Sequence, residues 1–290
     1  SREFQVFVKP IGSVCNLDCT YCYYLEKKSL YPGTGSMRMP DELLERYIVQ
    51  HISASPSPTV QFSWHGGEPT ALGIPYFRRI VELQQKHLPA DRTVQNAIQT
   101  NGTLLDEKWC RFLSAQKFFV GISIDGPPEL HDACRVTRRL GPTHEQVMKG
   151  YRLLQSHGIT SDVLCVVHPG NVTHPLEVYR FFRDIGARGL TFLPLVMQME
   201  DGTASPESVS GEAWGAFLCA IFDEWIRTDL DRIYVQMFDE ASRPLLGLEH
   251  SLCVLRPICG ELPVLEHNGD FYSCDHFVDR AHFLGNIRDH

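Results

Sequence analysis

The stretch QVFVKPIGSVCNLDCTYC, residues 5 to 22, runs from a short apolar segment into a polar loop carrying three cysteines. A β-branched and aromatic run followed at once by a chemically loaded loop is what a strand of an α/β protein presents at its carboxyl end. Outward from this stretch the same pattern repeats. Strand-like runs recur at VQFSW (60 to 64), VQNAIQT (94 to 100), FFVGISI (118 to 124), DVLCVV (162 to 167) and LTFLPL (190 to 195). Between them lie helical patterns that begin at Asp41, Pro75, Asp106, Thr143 and His174. Thr143 with Gln146 reads as a capping box, Pro175 suits a first helical turn, and Gly158 and Gly186 suit helix ends.

Six strands alternating with helices imply right-handed crossovers and a parallel sheet, here expected as a partial (β/α)6 barrel of the TIM type. In such a sheet the ligand site lies at the carboxyl ends of the strands, and the motifs of this chain keep that register. The cysteine triplet follows the first strand, His65-Gly66-Gly67-Glu68 the second, Asn101-Gly102 the third and Asp125-Gly126 the fourth. Agreement among four motifs outweighs any one of them. The barrel is expected over residues 1–240, with a cysteine-bearing appendage over 241–290. In that appendage Asn268-Gly269, between two short apolar runs, signals a hairpin.

With 290 residues and 43% hydrophobic content the chain can bury a full core. No uninterrupted apolar run approaches the roughly 18 to 20 residues of a spanning helix, and the first ten residues lack a signal-peptide pattern. The expectations are a cytoplasmic protein and no membrane partner. A net charge of -8 without clustered Lys and Arg argues against nucleic acid. Ten cysteines in a chain of this length are too few for a disulfide scaffold. Cys165 and Cys219 sit in apolar runs and are expected in the core.

The chemistry of Cys15, Cys19 and Cys22 turns on what three thiols on one loop can hold. A closed zinc site wants four ligands, usually as paired knuckles, and no second pair lies nearby. A cubane iron-sulfur cluster accepts three thiolates from one loop and keeps an iron without a protein ligand. The C-x3-C-x2-C spacing, with Tyr21 before the last cysteine, resembles the cluster loop of the radical S-adenosylmethionine enzymes, and the resemblance spans nearly the whole chain. It implies a [4Fe-4S] cluster on Cys15, Cys19 and Cys22. It also implies S-adenosyl-L-methionine chelated to the open iron and cleaved by one electron to a 5′-deoxyadenosyl radical.

The same resemblance implies cofactor-binding roles for Tyr21, Gly66, Gly67, Glu68, Gln99, Asn101, Ser123, Arg135 and Leu195. Gly66 and Gly67 would let backbone approach the methionine amino group, although an ordinary turn is the plain alternative for two adjacent glycines. Leu195 would pack on adenine or belong to the core. Cys253, Cys259 and Cys274 are similar to the start of the SPASM extension, which binds auxiliary [4Fe-4S] clusters. Three cysteines cannot complete two such clusters, so the extension is expected to be incomplete.

The segments CDHFV (274 to 278) and LGNI (284 to 287) resemble the anaerobic sulfatase-maturating enzymes within that group. That resemblance implies oxidation of a Cys or Ser to formylglycine in an unfolded sulfatase peptide, by hydrogen-atom abstraction from Cβ with Asp275 as base. A hairpin-capping or salt-bridging Asp is the plain alternative. The implied partners are a sulfatase and a reductant such as flavodoxin or ferredoxin. Two other readings compete: a maturase forming thioether or carbon-carbon crosslinks in ribosomally made peptides, and a non-catalytic zinc scaffold.

Overall fold

In a computed structural model of the chain, which describes residues 4–31, 37–199, 201–258 and 262–289, all six expected strands form. They are β1 (Phe7–Lys9), β2 (Thr59–Trp64), β3 (Thr93–Thr100), β4 (Phe119–Ser123), β5 (Ser161–Val167) and β6 (Gly189–Pro194). The five expected helices join them as α1 (Asp41–Ala54), α2 (Ile74–His87), α3 (Glu107–Ala115), α5 (His144–Ser156) and α6 (Pro175–Asp184), and a short α4 (Pro128–His131), not among those expected, lies between β4 and α5. After β6 come α7 (Gly211–Thr228), a two-residue strand β7 (Tyr234–Val235) and α8 (Gln236–Ser242). Strands β8 (Val264–Glu266), β9 (Asp270–Tyr272) and β10 (Phe283–Asn286) close the chain.

The ten strands form one sheet in the order β10-β9-β8-β1-β2-β3-β4-β5-β6-β7. Strands β1 to β7 are parallel and in sequence order, as successive right-handed crossovers on one side of a sheet require. This is the expected α/β architecture of a partial barrel. The strands beyond residue 240 join the same sheet, because β8 lies parallel to β1 with Lys9 opposite Glu266. The Asn268-Gly269 turn forms the expected hairpin, and Gly269 takes φ +93°, which only glycine adopts without strain. Among the described residues no helix is long and apolar enough to cross a membrane.

The two faces of the parallel sheet differ sharply. One residue in two, such as Phe62, Trp64, Ile98, Val120, Val163 and Phe192, packs against the helices in a single continuous core. The ring planes of Phe62 and Trp64 stack 3° apart. The intervening residues face a cavity of about 450 Å³ and are mostly polar, among them Gln61, Ser63, Gln95, Gln99, Asp162 and Thr191. Parallel strands are ordinarily apolar on both faces, so a polar inner face marks the side that receives a ligand.

Two expectations at helix level change. Thr143 precedes α5 but makes no capping bond to it. Its hydroxyl instead donates to Arg135 O at 2.6 Å, and Asp132 Oδ1 accepts from the backbone N–H of Thr143 and His144. A carboxylate from the preceding loop satisfies the helix start, so the capping box is not needed. Cys165 is buried as expected, but Cys219 is exposed, because the 3.6-residue period of α7 turns it away from Phe217 and Ile221.

Candidate functional site

The loop after β1 is bolted down by backbone contacts that glycine makes possible. Gly67 N donates to Gly12 O at 2.7 Å and Glu68 N to Val14 O at 2.9 Å. A Cβ on Gly67 would stand 2.1 Å from Val14 O and 2.8 Å from Ser13 C, so no larger residue fits. Gly66, at φ +132°, turns the chain into this contact. The Gly-Gly pair is therefore the seat of the segment that leads into Cys15.

The Glu68 carboxylate is fully buried and accepts four hydrogen bonds: Thr70 N at 2.9 Å, Thr70 Oγ1 at 2.6 Å, Thr100 Oγ1 at 2.8 Å and Asn101 N at 2.7 Å. Burial pushes its carboxyl up, against the pull of these donors. It ties the end of β2 to the end of β3. Asn101, so placed, donates to Asn16 Oδ1 at 3.0 Å and towards Cys15 Sγ at 3.7 Å, and Asn16 in turn donates to Thr103 Oγ1 at 2.8 Å.

Cys15, Cys19 and Cys22 lie half-buried on this loop as thiols outside any disulfide. Burial pushes Cys15 up to about 12 and Cys19 up to about 11, and raises Cys22 as well. Sulfurs held this way need a cation to become thiolates. Cys15 Sγ already accepts from Leu17 N at 3.4 Å, a contact suited to a sulfur that carries negative charge. Three thiols on one buried loop, N–H donors aimed at sulfur and a glycine seat against the backbone fit an iron-sulfur cluster. Sulfurs sharing one zinc would stand about 4 Å apart. Among the described residues no three His, Cys, Asp or Glu side chains are gathered to hold a single metal ion.

Behind the loop, Asp125 at the end of β4 is wholly buried and binds three groups. It accepts from Arg135 Nε at 2.8 Å and Nη2 at 3.1 Å, from Val166 N at 2.9 Å and from the Tyr21 hydroxyl. Burial opposes its ionisation, but the Arg135 guanidinium holds the carboxyl below its ordinary range. Arg135 also lies over the Tyr21 ring, 5.5 Å from its centroid. Tyr21 and Arg135 are thus partners of Asp125, a residue the sequence marked only as following a strand. His131 Nδ1 accepts from Asp125 N at 3.2 Å, which leaves its other nitrogen to donate to Thr143.

On the inner face of the sheet Gln99 Nε2 donates to Ser123 Oγ at 3.1 Å. Leu195, half-buried just past β6, is held by its N–H on Val167 O at 2.7 Å.

Asp275 comes from the loop after β9 and reaches the carboxyl end of β1. Its Oδ1 pairs with Lys9 Nζ at 2.6 Å and its Oδ2 accepts from the Tyr23 hydroxyl at 2.6 Å. Lys9 is 3% exposed and lies 4.2 Å from the centroid of the Tyr24 ring. Burial works against Asp275 ionising, but the Lys9 ammonium draws its carboxyl down to about 2. His65, stacked on Phe7, is pushed down to about 3 by burial and by Lys9, so it is neutral and leaves Lys9 as the partner that matters. Tyr23 neighbours Cys22 and Asp275 neighbours Cys274, so this pair joins the two cysteine groups.

Lys9 and Tyr23 escaped the sequence reading. The strand register alone would have found Lys9, the last residue of β1 on the inner face. Tyr24 is buried beneath Lys9. Cys253 starts a short turn at 253–255 and Cys274 follows β9, both half-buried; Cys259 lies outside the described residues.

The Radical SAM superfamily model matches residues 10–182. The chain is similar to a serine-type anaerobic sulfatase-maturating enzyme of Bacteroides thetaiotaomicron, at 41% identity over 99% of this chain and 73% of the relative. It is also similar to a cysteine-type anaerobic sulfatase-maturating enzyme of Clostridium perfringens, at 34% identity over 98% of this chain and 78% of the relative. Among solved structures, native anSMEcpe with bound AdoMet and Cp18Cys peptide superposes with a TM-score of 0.88 at 32% identity, covering 100% of this chain and 78% of that one.

Proposed function

Because this chain belongs to the radical SAM superfamily, among its anaerobic sulfatase-maturating enzymes, we propose a division of labour among its residues in the oxidation of a peptidyl Cys or Ser to formylglycine. The residues of the β1 loop suit a [4Fe-4S] cluster on Cys15, Cys19 and Cys22, with S-adenosyl-L-methionine beside it. When bound, these groups supply the one-electron chemistry that removes a hydrogen atom from the substrate Cβ.

The chain's own residues do the rest. Gly66 and Gly67 seat the loop and leave backbone open to the cofactor, while Glu68 and Asn101 hold that seat in register. Gln99 and Ser123 offer polar contacts on the inner face, and Leu195 an apolar one. Tyr21 and Arg135 act through Asp125 to fix the far side of the loop. Asp275 accepts the proton of the substrate thiol or hydroxyl, with Lys9 and Tyr23 aiming its carboxylate. Oxidation removes two hydrogens in all: one as an atom from Cβ, one as a proton to Asp275, and the remaining electron would pass to a bound iron-sulfur cluster as its acceptor. A thioaldehyde from Cys is then hydrolysed, releasing hydrogen sulfide.

The substrate is a peptide segment of a sulfatase, and flavodoxin or ferredoxin suits the role of reductant. Residues 1–240 act as the barrel and 241–290 as the start of an auxiliary-cluster unit, with Cys253, Cys259 and Cys274 as ligands.

One observation carries the assignment of Asp275: a shielded, lysine-paired carboxylate hydrogen-bonded to the residue beside Cys22. Asp275→Asn is expected to keep cleaving S-adenosylmethionine while product falls at least about a hundredfold, the usual worth of a general base. Mass spectrometry of the peptide reads the outcome, as loss of two hydrogens from Ser, or as loss of sulfur and two hydrogens with gain of one oxygen from Cys. Undiminished product from Asp275→Asn would remove Asp275 from the role.

A further inference from the structure

We propose that Glu240 is a positioning residue that presents Cys253 to the auxiliary iron-sulfur cluster, an inference that rests on the reading of Cys253 as a cluster ligand. Glu240, on α8, is 0% exposed. Its carboxylate collects donors from three consecutive residues of a segment that returns to α8 after a short turn at 244–246. Oε2 accepts from His250 Nδ1 at 3.1 Å and from Ser251 N at 3.1 Å. Oε1 accepts from Ser251 N at 3.0 Å, from Leu252 N at 3.2 Å and from the Ser251 hydroxyl. The next residue is Cys253, whose carbonyl accepts from Arg256 N at 3.1 Å.

No apolar packing holds this segment. From residue 241 to 258 no residue is buried, and Leu245 and Leu246 are 87% and 72% exposed. A segment without buried apolar surface has only its polar bonds to offset the entropy of fixing it. Arg243 supplies a further tie, from its Nε to Glu249 O at 2.7 Å, but Glu249 is four residues from Cys253 whereas Leu252 adjoins it. Glu68 acts in the same way at the other cysteine group. There too a fully buried carboxylate gathers backbone N–H and hydroxyl donors, and it sets Asn101 against the Cys15 loop. The donors fit the group they would hold: Cys253 and Cys274 are half-buried thiols outside any disulfide, and iron-sulfur clusters take thiolates. Partners that orient a metal ligand are worth about 10–100-fold in affinity.

The test counts iron in anaerobically reconstituted protein carrying Cys15→Ala, Cys19→Ala and Cys22→Ala, so that only auxiliary iron is read. Adding Glu240→Ala to this parent is expected to lower about tenfold the chelator concentration that strips half of that iron. Glu240→Gln should restore the parent value, because an amide oxygen still accepts from Ser251 and Leu252 while its NH2 donates to His250 Nδ1 in the other tautomer. Hydrogen exchange of the cluster-free protein gives a second readout. The Ser251 and Leu252 amides should exchange faster in Glu240→Ala and at the parent rate in Glu240→Gln. Should Glu240→Ala fail to fold, Ser251→Pro removes three of the five contacts from the exposed side and should lose iron as readily. Unchanged chelator resistance in Glu240→Ala, or in Ser251→Pro where it alone folds, overturns the inference, and so does a Glu240→Gln that restores nothing. If Glu240→Ala strips iron as readily from a chain with the first triplet intact and Cys253→Ala and Cys274→Ala in place, Glu240 is a general stabiliser and the inference falls. A parent that binds no iron overturns the auxiliary-cluster reading and this inference together, whereas iron in the parent with no effect of Glu240→Ala refutes this inference alone.

Discussion

Gly67→Ala perturbs the contact on which the cysteine loop sits, and its effect can be worked out from distances. The new Cβ would lie 2.1 Å from Val14 O, 2.4 Å from Val14 C and 2.8 Å from Ser13 C, all backbone atoms that no rotamer change can clear. Restoring ordinary contact of about 3.4 Å requires the loop to retreat by about 1.3 Å. That movement breaks the 2.7 Å bond from Gly67 N to Gly12 O and the 2.9 Å bond from Glu68 N to Val14 O. Two backbone bonds at about 1 kcal/mol each, with about 1–3 kcal/mol for overpacking, give a loss of about 3–5 kcal/mol. Because Val14 precedes Cys15, the displacement passes directly to the first cluster ligand. Denaturant unfolding of the cluster-free protein measures the stability change, and iron and sulfide per chain after anaerobic reconstitution measures the functional one. Gly158→Ala is the control: its φ is +63° but nothing lies within 4 Å of the added methyl, so it should cost only about 1–2 kcal/mol and leave iron content unchanged. If Gly67→Ala matches Gly158→Ala in both stability and iron, close approach is not what seats the loop.

Asp125→Asn should cost about 3–5 kcal/mol by leaving Arg135 buried without its counter-charge, and pairing it with Arg135→Met should recover part of the loss in the same unfolding assay. Acid should weaken the fold through His131, which burial pushes down to about 3. Below the ordinary value of about 6.5 the unfolded chain binds a proton that the folded one refuses, so stability falls as pH drops from about 6.5 towards 3, by up to about 1.4 kcal/mol per pH unit. A His131→Asn variant with the wild-type slope of melting temperature against pH over that range would assign the effect elsewhere. Cys219→Ser should change stability by less than about 0.5 kcal/mol, whereas Cys165→Ser should cost about 1–3 kcal/mol, and equal effects in thermal melts would contradict their opposite exposure.

Much was legible without coordinates, because it rests on short-range rules. Strand and helix periods, the turn at Gly269 and the placement of four motifs after four strands follow from local propensity and from the direction of parallel strands. The spacing of Cys15, Cys19 and Cys22 on one loop is likewise a property of the chain itself. What the chain could not disclose are contacts between residues far apart in sequence. Glu68 is spent on Thr70, Thr100 and Asn101. Arg135 meets Asp125 rather than solvent, and Asp275 finds Lys9 some 266 positions away. The capping box at Thr143 failed for the same reason, since Asp132 arrives from another loop, and Cys219 looked like core only because an apolar run does not say which side of its helix faces in. Local pattern sets which elements form, but burial and pairing of charge depend on which elements meet, and only the tertiary structure decides that.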